Sequence, residues 1–170
     1  MQKSEKYAYW LLLSDYDLES IDCLIAGERW VYVAYLCQQA IERQLKGMYV
    51  YYTNNESPKT HNVNFLFSKV IAAESFADNA KDPRFVARRE EIEDFLVDVM
   101  FYYMSDYPFS YKNIFNRFIK RESALELYAH TREVIGFLRS FQPAPESPRV
   151  VIEKKTTASR RCGSVLFYYT

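Results

Sequence analysis

The chain has few histidines and few glycines, which many metal sites and phosphate-binding loops require. Only two histidines, His61 and His130, occur among its 170 residues, and neither lies in an H-E-x-x-H motif or beside a cysteine pair. The four glycines are scattered, so no phosphate-binding loop or dinucleotide fingerprint can be assembled. We therefore expect no metal ion and no cofactor, and any nucleotide must be held by side chains.

The chain also has no excess of positive or negative charge, no long apolar run and no closely spaced cysteine pair. The 22 basic and 22 acidic residues balance, which excludes the overall positive charge of a protein that coats nucleic acid or anionic lipid. The longest uncharged runs, such as 30–41, are shorter than the roughly 20 residues of a membrane helix. The first residues do not resemble a secretory signal, and the three cysteines lack C-x-x-C spacing. We expect a cytoplasmic protein without a membrane span or a disulfide framework.

Aromatic residues at helical spacing dominate what the chain does contain. It has 15 Tyr, 12 Phe and 2 Trp but only 4 Gly and 6 Pro, which favours long helices over a turn-rich β fold. Apolar residues recur at three- and four-residue steps, and the stripe predicted for the first helix runs through Trp10, Leu13, Tyr16/Asp17, Ser20/Ile21 and Leu24. Asp82 before Pro83 is typical of a helix start. The predicted helices span about 7–26, 30–52, 62–75, 83–103 and 122–141.

These segments predict an all-α, up-and-down bundle of four to five helices within residues 1–141. Residues 142–170 are predicted to be a proline-containing linker and a C-terminal tail. The tail contains two short β-prone runs, VVI and SVLFYYT. We expect it to form a hairpin, to add to a partner or to stay mobile.

The segment CQQAIERQLKGMYVYY, residues 37–52, combines an apolar stripe with a narrow polar strip. At 100° per residue the polar side chains fall in a sector less than half the helix wide. This polar strip consists of Gln38, Gln39, Glu42, Arg43 and Lys46. It is either the one solvent-facing edge of a central helix, which base rates favour, or the wall of a groove between helices or subunits.

Other candidate sites have competing interpretations. His61 starts the third predicted helix, where a neutral ring with a local hydrogen bond is favoured over a base-stacking or phosphate-facing role. Residues 106–121 interleave aromatic and basic side chains, as RNA-binding surfaces do, but their spacing also suits an apolar helix face, which is the favoured interpretation. Cys37 on the apolar stripe is expected to be an inert core thiol, and the acidic run within 90–94 a solvated face.

Several fragments together resemble the HEPN domain (higher eukaryotes and prokaryotes nucleotide-binding) over about residues 8–141. They are Trp10, Asp17-Leu18, the run QQAIERQLK at 38–46, Pro58, Thr60-His61, Leu66 and Asp106-Tyr107-Pro108. The resemblance implies a helical bundle that usually dimerises, often beside a minimal nucleotidyltransferase partner in toxin–antitoxin or related defence systems. Active members are metal-independent RNases whose signature is an Arg, four to six residues, and then a His.

The chain departs from this pattern at the catalytic motif. Neither histidine has an arginine at the required spacing, and Arg121 lies nine residues before His130. Asp106-Tyr107-Pro108-Phe109 stands where many relatives read Arg-Tyr-Pro-Asp, so an anion replaces a phosphate-binding cation.

We therefore predict a HEPN-like module without catalytic residues that binds a nucleotide, RNA or a nucleotidyltransferase partner, and that forms a homodimer. The resemblance and the polar strip suggest a ligand groove. Its predicted lining is Gln39, Arg43, Lys46, His61 and Tyr107. One alternative is a divergent metal-independent RNase toxin that uses His61 or His130. Another is a purely structural protein-interaction module.

Overall fold

Six α-helices and one short 3₁₀ turn make up the part of the chain that the structure, a computed structural model, describes, residues 3–103 and 120–143. No strand occurs within these residues, which confirms the all-α prediction. The tail prediction falls almost entirely on 144–170 and lies outside them. The helices are α1 (Lys3–Ala26), α2 (Trp30–Thr53), α3 (Val63–Ile71), α4 (Ala77–Ala80), α5 (Pro83–Tyr103) and α6 (Arg121–Arg139), and the 3₁₀ turn is Glu74–Phe76.

Local backbone and side-chain chemistry explains four of the helix ends. Two non-glycine residues with left-handed backbone, Glu28 (φ 56) and Asn54 (φ 58), lie after α1 and after α2. At the start of α3 the Asn62 side chain accepts a hydrogen bond from the Phe65 backbone N–H at 2.9 Å. Before α5, Asp82 accepts from the Arg84 backbone N–H at 2.8 Å. The predicted start at Pro83 is therefore confirmed.

The third helix is shorter than predicted. The periodicity indicated 62–75, but α3 ends at Ile71 and a 3₁₀ turn and α4 occupy the following stretch. The turn directs Phe76 into the core, where it is fully buried, and the Ser75 hydroxyl donates to the Tyr52 carbonyl oxygen. The free energy gained by burying this aromatic ring exceeds what continuation of the helix would contribute.

The core is organised around α2, which contacts α1, α3, α5 and α6. Its main cluster includes edge-to-face aromatic pairs, with Phe76 and Phe85 ring centroids 5.1 Å apart and Phe85 and Phe141 5.5 Å apart. A smaller cluster packs around Cys37 and Tyr128. Burial raises the pKa of the Cys37 thiol to about 12, so the expected inert core thiol is confirmed.

Helix α1 lies closely against α2 because Gly47 has no side chain. A Cβ at Gly47 would be 3.3 Å from Leu11 and 3.4 Å from Trp10. The buried face of α1 differs in part from the predicted stripe, since Leu11 is buried whereas Tyr16 is 45% exposed. Among the described residues no helix is both long and apolar enough to cross a membrane.

Candidate functional site

The polar strip of α2 is buried. Gln38 is 0% exposed, Glu42 3% and Lys46 7%, so the expectation of a solvent-facing edge is wrong. The strip is covered by α1 on one side and by the segment before α3 on the other, as its hydrogen bonds show. Buried charges are tolerated only when they are paired and hydrogen-bonded, so the partners of each group decide what the strip can do.

Glu42 is the centre of this network. Its carboxylate accepts from Lys46 Nζ at 2.7 Å and from Gln38 Nε2 at 3.1 Å. The Nδ1 atom of His61 lies 3.1 Å from Oε2 and 3.2 Å from Oε1 of the same carboxylate. Gln39 joins through Gln38, donating from Nε2 to Oε1 at 2.7 Å. One buried carboxylate therefore connects three of the predicted groove residues.

The two cations of the strip are held by partners within the fold. Arg43 Nη1 donates to Asp17 Oδ1 at 2.6 Å and to the Leu13 carbonyl oxygen at 3.3 Å. Lys46, besides its bond to Glu42, lies with Nζ 5.2 Å from the centroid of the Trp10 ring. Both cations are therefore engaged with α1 or with Glu42, which limits their capacity to bind a phosphate.

Asp17, the partner of Arg43, is a second buried carboxyl group and is 4% exposed. Burial raises its pKa to about 6, the Glu42 carboxylate acts in the same direction, and Arg43 opposes the shift through its charge and hydrogen bond. Its Oδ2 atom has no hydrogen-bond partner among the described residues. The pairing with Arg43 thus compensates only part of the cost of burying this carboxylate.

His61 connects the buried network to solvent. Its side chain is 53% exposed, while its Nδ1 is held by Glu42 and its carbonyl oxygen accepts from Gln38 at 3.4 Å. The structure therefore brings three predicted groove residues, Gln39, Lys46 and His61, into one network through Glu42, while Arg43 forms a separate pair with Asp17. Tyr107 lies outside the described residues, as do residues 106–119 of the aromatic and basic segment.

His130 belongs to a different cluster between α5 and α6. Its Nε2 lies 3.2 Å from Glu91 Oε1, and its ring centroid is 4.2 Å from that of Phe95. Arg88 bonds to Glu91 at 2.8 Å and to Glu133 at 2.9 Å. The hydrogen bond from Arg88 lowers the pKa of Glu91 to about 2, with a further contribution from His130. The two histidines thus have separate partners on separate helices.

Asp17 is the site residue whose role the sequence did not reveal. An acidic residue on an apolar helix stripe is the one signal that could have indicated a buried ion pair. Its partner Arg43 is 26 residues away, so periodicity alone could not supply the pairing. Within the described ranges, no group of three or more His, Cys, Asp or Glu side chains is placed to hold a metal ion.

The match to a known family covers all six helices in whole or part. The family model of the HEPN domain matches residues 7–141. The chain belongs to the HEPN domain family. The resemblance in the run at 38–46 and in Thr60-His61 is therefore confirmed at the level of the family. No curated protein and no solved structure matches this HEPN chain.

Proposed function

We propose that this HEPN chain is a non-catalytic module that binds RNA or a nucleotide. The family is associated with nucleotide and RNA binding and with RNase toxins. The observation that carries the non-catalytic assignment is the pairing of Arg43 with Asp17 and of Lys46 with Glu42. These buried carboxylates hold both cations of the polar strip.

Metal-independent cleavage of RNA needs more than a histidine. A general base or acid must act together with a positive group that stabilises the charge on the phosphate in the transition state. His61 instead contacts a buried carboxylate, and His130 contacts Glu91. This electrostatic environment favours recognition of a ligand over catalysis.

The binding proposal can be tested with labelled single-stranded RNA and with ATP. We expect saturable RNA binding by fluorescence anisotropy, and a rise in melting temperature when the ligand that binds is added in excess. His61→Ala should weaken binding, whereas His130→Ala, in the other cluster, serves as the matched control. If neither RNA nor ATP changes anisotropy or melting temperature, the proposal is wrong.

A divergent RNase is the second candidate, and the Glu42–His61 contact is the observation in its favour. A buried carboxylate on Nδ1 fixes the tautomer and orientation of an imidazole, as in many general acid–base sites. The test is incubation of the purified protein with RNA in EDTA. Cleavage that His61→Ala and Glu42→Gln abolish and His130→Ala preserves would establish this candidate, and no cleavage would exclude it.

Homodimer formation and a nucleotidyltransferase partner also remain proposals, as do a role in a toxin–antitoxin system and a cytoplasmic location. Tyr9 and Tyr16, seven residues apart on α1, are 46% and 45% exposed and provide apolar surface for a protein contact. Light scattering of the purified chain would reveal the dimer. A monomer at micromolar concentration would exclude a stable homodimer.

A further inference from the structure

Helix α3 presents an aromatic ring to solvent. Phe65 is 41% exposed, while its neighbours Leu66 and Phe67 are buried at 0% and 2%. The backbone at Phe65 is fixed locally, because the Asn62 side chain accepts from the Phe65 backbone N–H at 2.9 Å and Ser68 Oγ donates to the Phe65 carbonyl oxygen at 2.8 Å. An exposed phenyl ring on such a backbone gives a flat surface on which another ring can stack.

Two exposed lysines belong to the segment that carries this ring. Lys69 Nζ lies 5.4 Å from the centroid of the Phe65 ring, and the exposed residues Lys59 and His61 lie just before the helix. Residues 57–73 include no aspartate or glutamate, although acidic and basic residues balance over the whole chain. This segment therefore contributes cationic but no acidic side chains.

The two lysines differ from the cations of the polar strip. Lys46 and Arg43 are paired with buried carboxylates, whereas neither Lys59 nor Lys69 is paired with a carboxylate in the described part of the chain. Both can therefore contact phosphate without losing an existing ion pair. Lys69 also suits the last turn of α3, where a cation is favoured by the helix dipole.

We propose that Lys59, His61, Phe65 and Lys69 form a binding site for single-stranded RNA, which we call the α3 face. A base stacks on Phe65, and the lysines contact phosphates on either side of that nucleotide. Exposed aromatic rings with neighbouring cations are the features by which proteins bind unpaired nucleotides, because a base within a duplex has no free face for stacking. The inference rests on the proposed function and assigns its ligand class and residues.

Stacking is tested by changing the ring and retaining an apolar side chain. Phe65→Leu should weaken binding of a labelled, unstructured RNA of roughly ten nucleotides about tenfold, because the stacking surface is lost. Phe65→Trp should retain or strengthen it. Tyr32→Leu is the matched control, since Tyr32 is an exposed aromatic residue on α2, 60% exposed. Melting temperatures of all variants establish that they are folded.

Phosphate contact is tested by the salt dependence of binding. Lys59→Gln and Lys69→Gln should each reduce the slope of log affinity against log salt by about 0.7, the value for one phosphate of a single strand. Lys81→Gln changes an exposed lysine beyond this segment and should leave the slope unchanged. ATP is included as a competitor to distinguish a strand from a free nucleotide.

The outcomes separate the two proposals. If the wild-type protein binds RNA and Phe65→Leu binds equally well, the α3 face is wrong while the proposed function stands. If ATP displaces RNA at equal concentration, the site is a nucleotide site and the assignment to RNA is overturned. If the wild-type protein binds neither ligand, the proposed function fails and the α3 face with it.

Discussion

The two histidine clusters of this protein contain the same kinds of groups in different surroundings. In the network of α2 and the segment before α3, the Glu42 side chain is 4% exposed and is bound by Lys46 and His61. In the cluster of α5 and α6, Glu91 is 46% exposed and is bound by Arg88 and His130. The contact distances are similar, so distance alone does not distinguish the clusters.

Solvent exposure is the difference that determines their energetics. Water and salt screen the exposed pairs, whose contribution to stability is usually below about 1 kcal/mol. A buried ion pair is strongly coupled, since removing either partner leaves the other as an uncompensated charge in the interior. The buried network is therefore expected to be sensitive to mutation and pH, and the exposed cluster tolerant.

The largest effect is expected from Glu42→Gln. Glutamine can keep some of the hydrogen bonds but leaves Lys46, whose side chain is 9% exposed, without its counter-charge. The free energy of unfolding should fall by about 3–5 kcal/mol in urea denaturation. Glu91→Gln makes the same chemical change at the exposed cluster and should lower it by less than about 1 kcal/mol. Equal losses in the two variants would contradict the comparison.

A pH-dependent effect is expected from Asp17. Its pKa is about 6 in the folded protein against 3.8 for an unperturbed group, so the folded state binds the proton more tightly. The stabilisation that this tighter proton binding gives the folded state is fully present below pH 3.8 and is lost as pH rises through about 6. The free energy of unfolding should fall by at most about 3 kcal/mol over this range. Denaturation curves measured between these values should show a smaller dependence on pH in Asp17→Asn. A pH profile identical to that of the wild-type protein would refute this.

Replacement of each histidine should have a smaller effect. His61→Ala removes one hydrogen bond from the buried Glu42 carboxylate, which keeps those from Lys46 and Gln38, so we expect a loss of about 1 kcal/mol. His130→Ala removes a partly exposed contact with Glu91 and packing on Phe95, and the loss should be similar or smaller. Thermal denaturation at matched pH compares the stability of the two variants. A much larger loss of stability for His130→Ala would contradict the expectation that the Glu42 network is the more sensitive of the two clusters.

The smallest effect is expected from Arg88→Gln. Arg88 lowers the pKa of Glu91 to about 2 from 4.5, so this pair stabilises the fold above pH 4.5 and the contribution is lost as pH falls towards 2. Because Glu91 is largely exposed, screening keeps that contribution below about 1 kcal/mol. Raising the salt concentration should reduce the difference between Arg88→Gln and wild type. A difference that is unaffected by salt would argue against a screened pair.

Much of the fold could be predicted because its signals are local. Helix α2 was predicted at about 30–52 and spans Trp30–Thr53, and the cap and proline at 82–83 correctly marked the start of α5. The end of α3 was predicted too late, because the turn before α4 depends on packing of Phe76 against Phe85. Side-chain contact between residues distant in sequence is not encoded in periodicity.

The environment of the candidate site was not predicted. Gln39, Lys46 and His61 are joined through Glu42, and Arg43 pairs with Asp17, on a strip that is buried rather than solvent-facing. On α1 the pattern did not distinguish Tyr16 from Asp17, yet the tyrosine is 45% exposed and the aspartate 4%. From apolarity alone, the tyrosine would have been predicted to be buried and the aspartate to be exposed.

The sequence by itself determined the helices, the family and the residues of the polar strip, since helical spacing and capping act over a few positions. Only the tertiary structure decided which charges are buried and with which partners. Arg43 meets Asp17 across 26 residues, and Glu42 meets His61 across 19. Because a charge leaves water only when a partner is in place, burial of this strip depends on the packing of α1 and of the segment before α3 against α2.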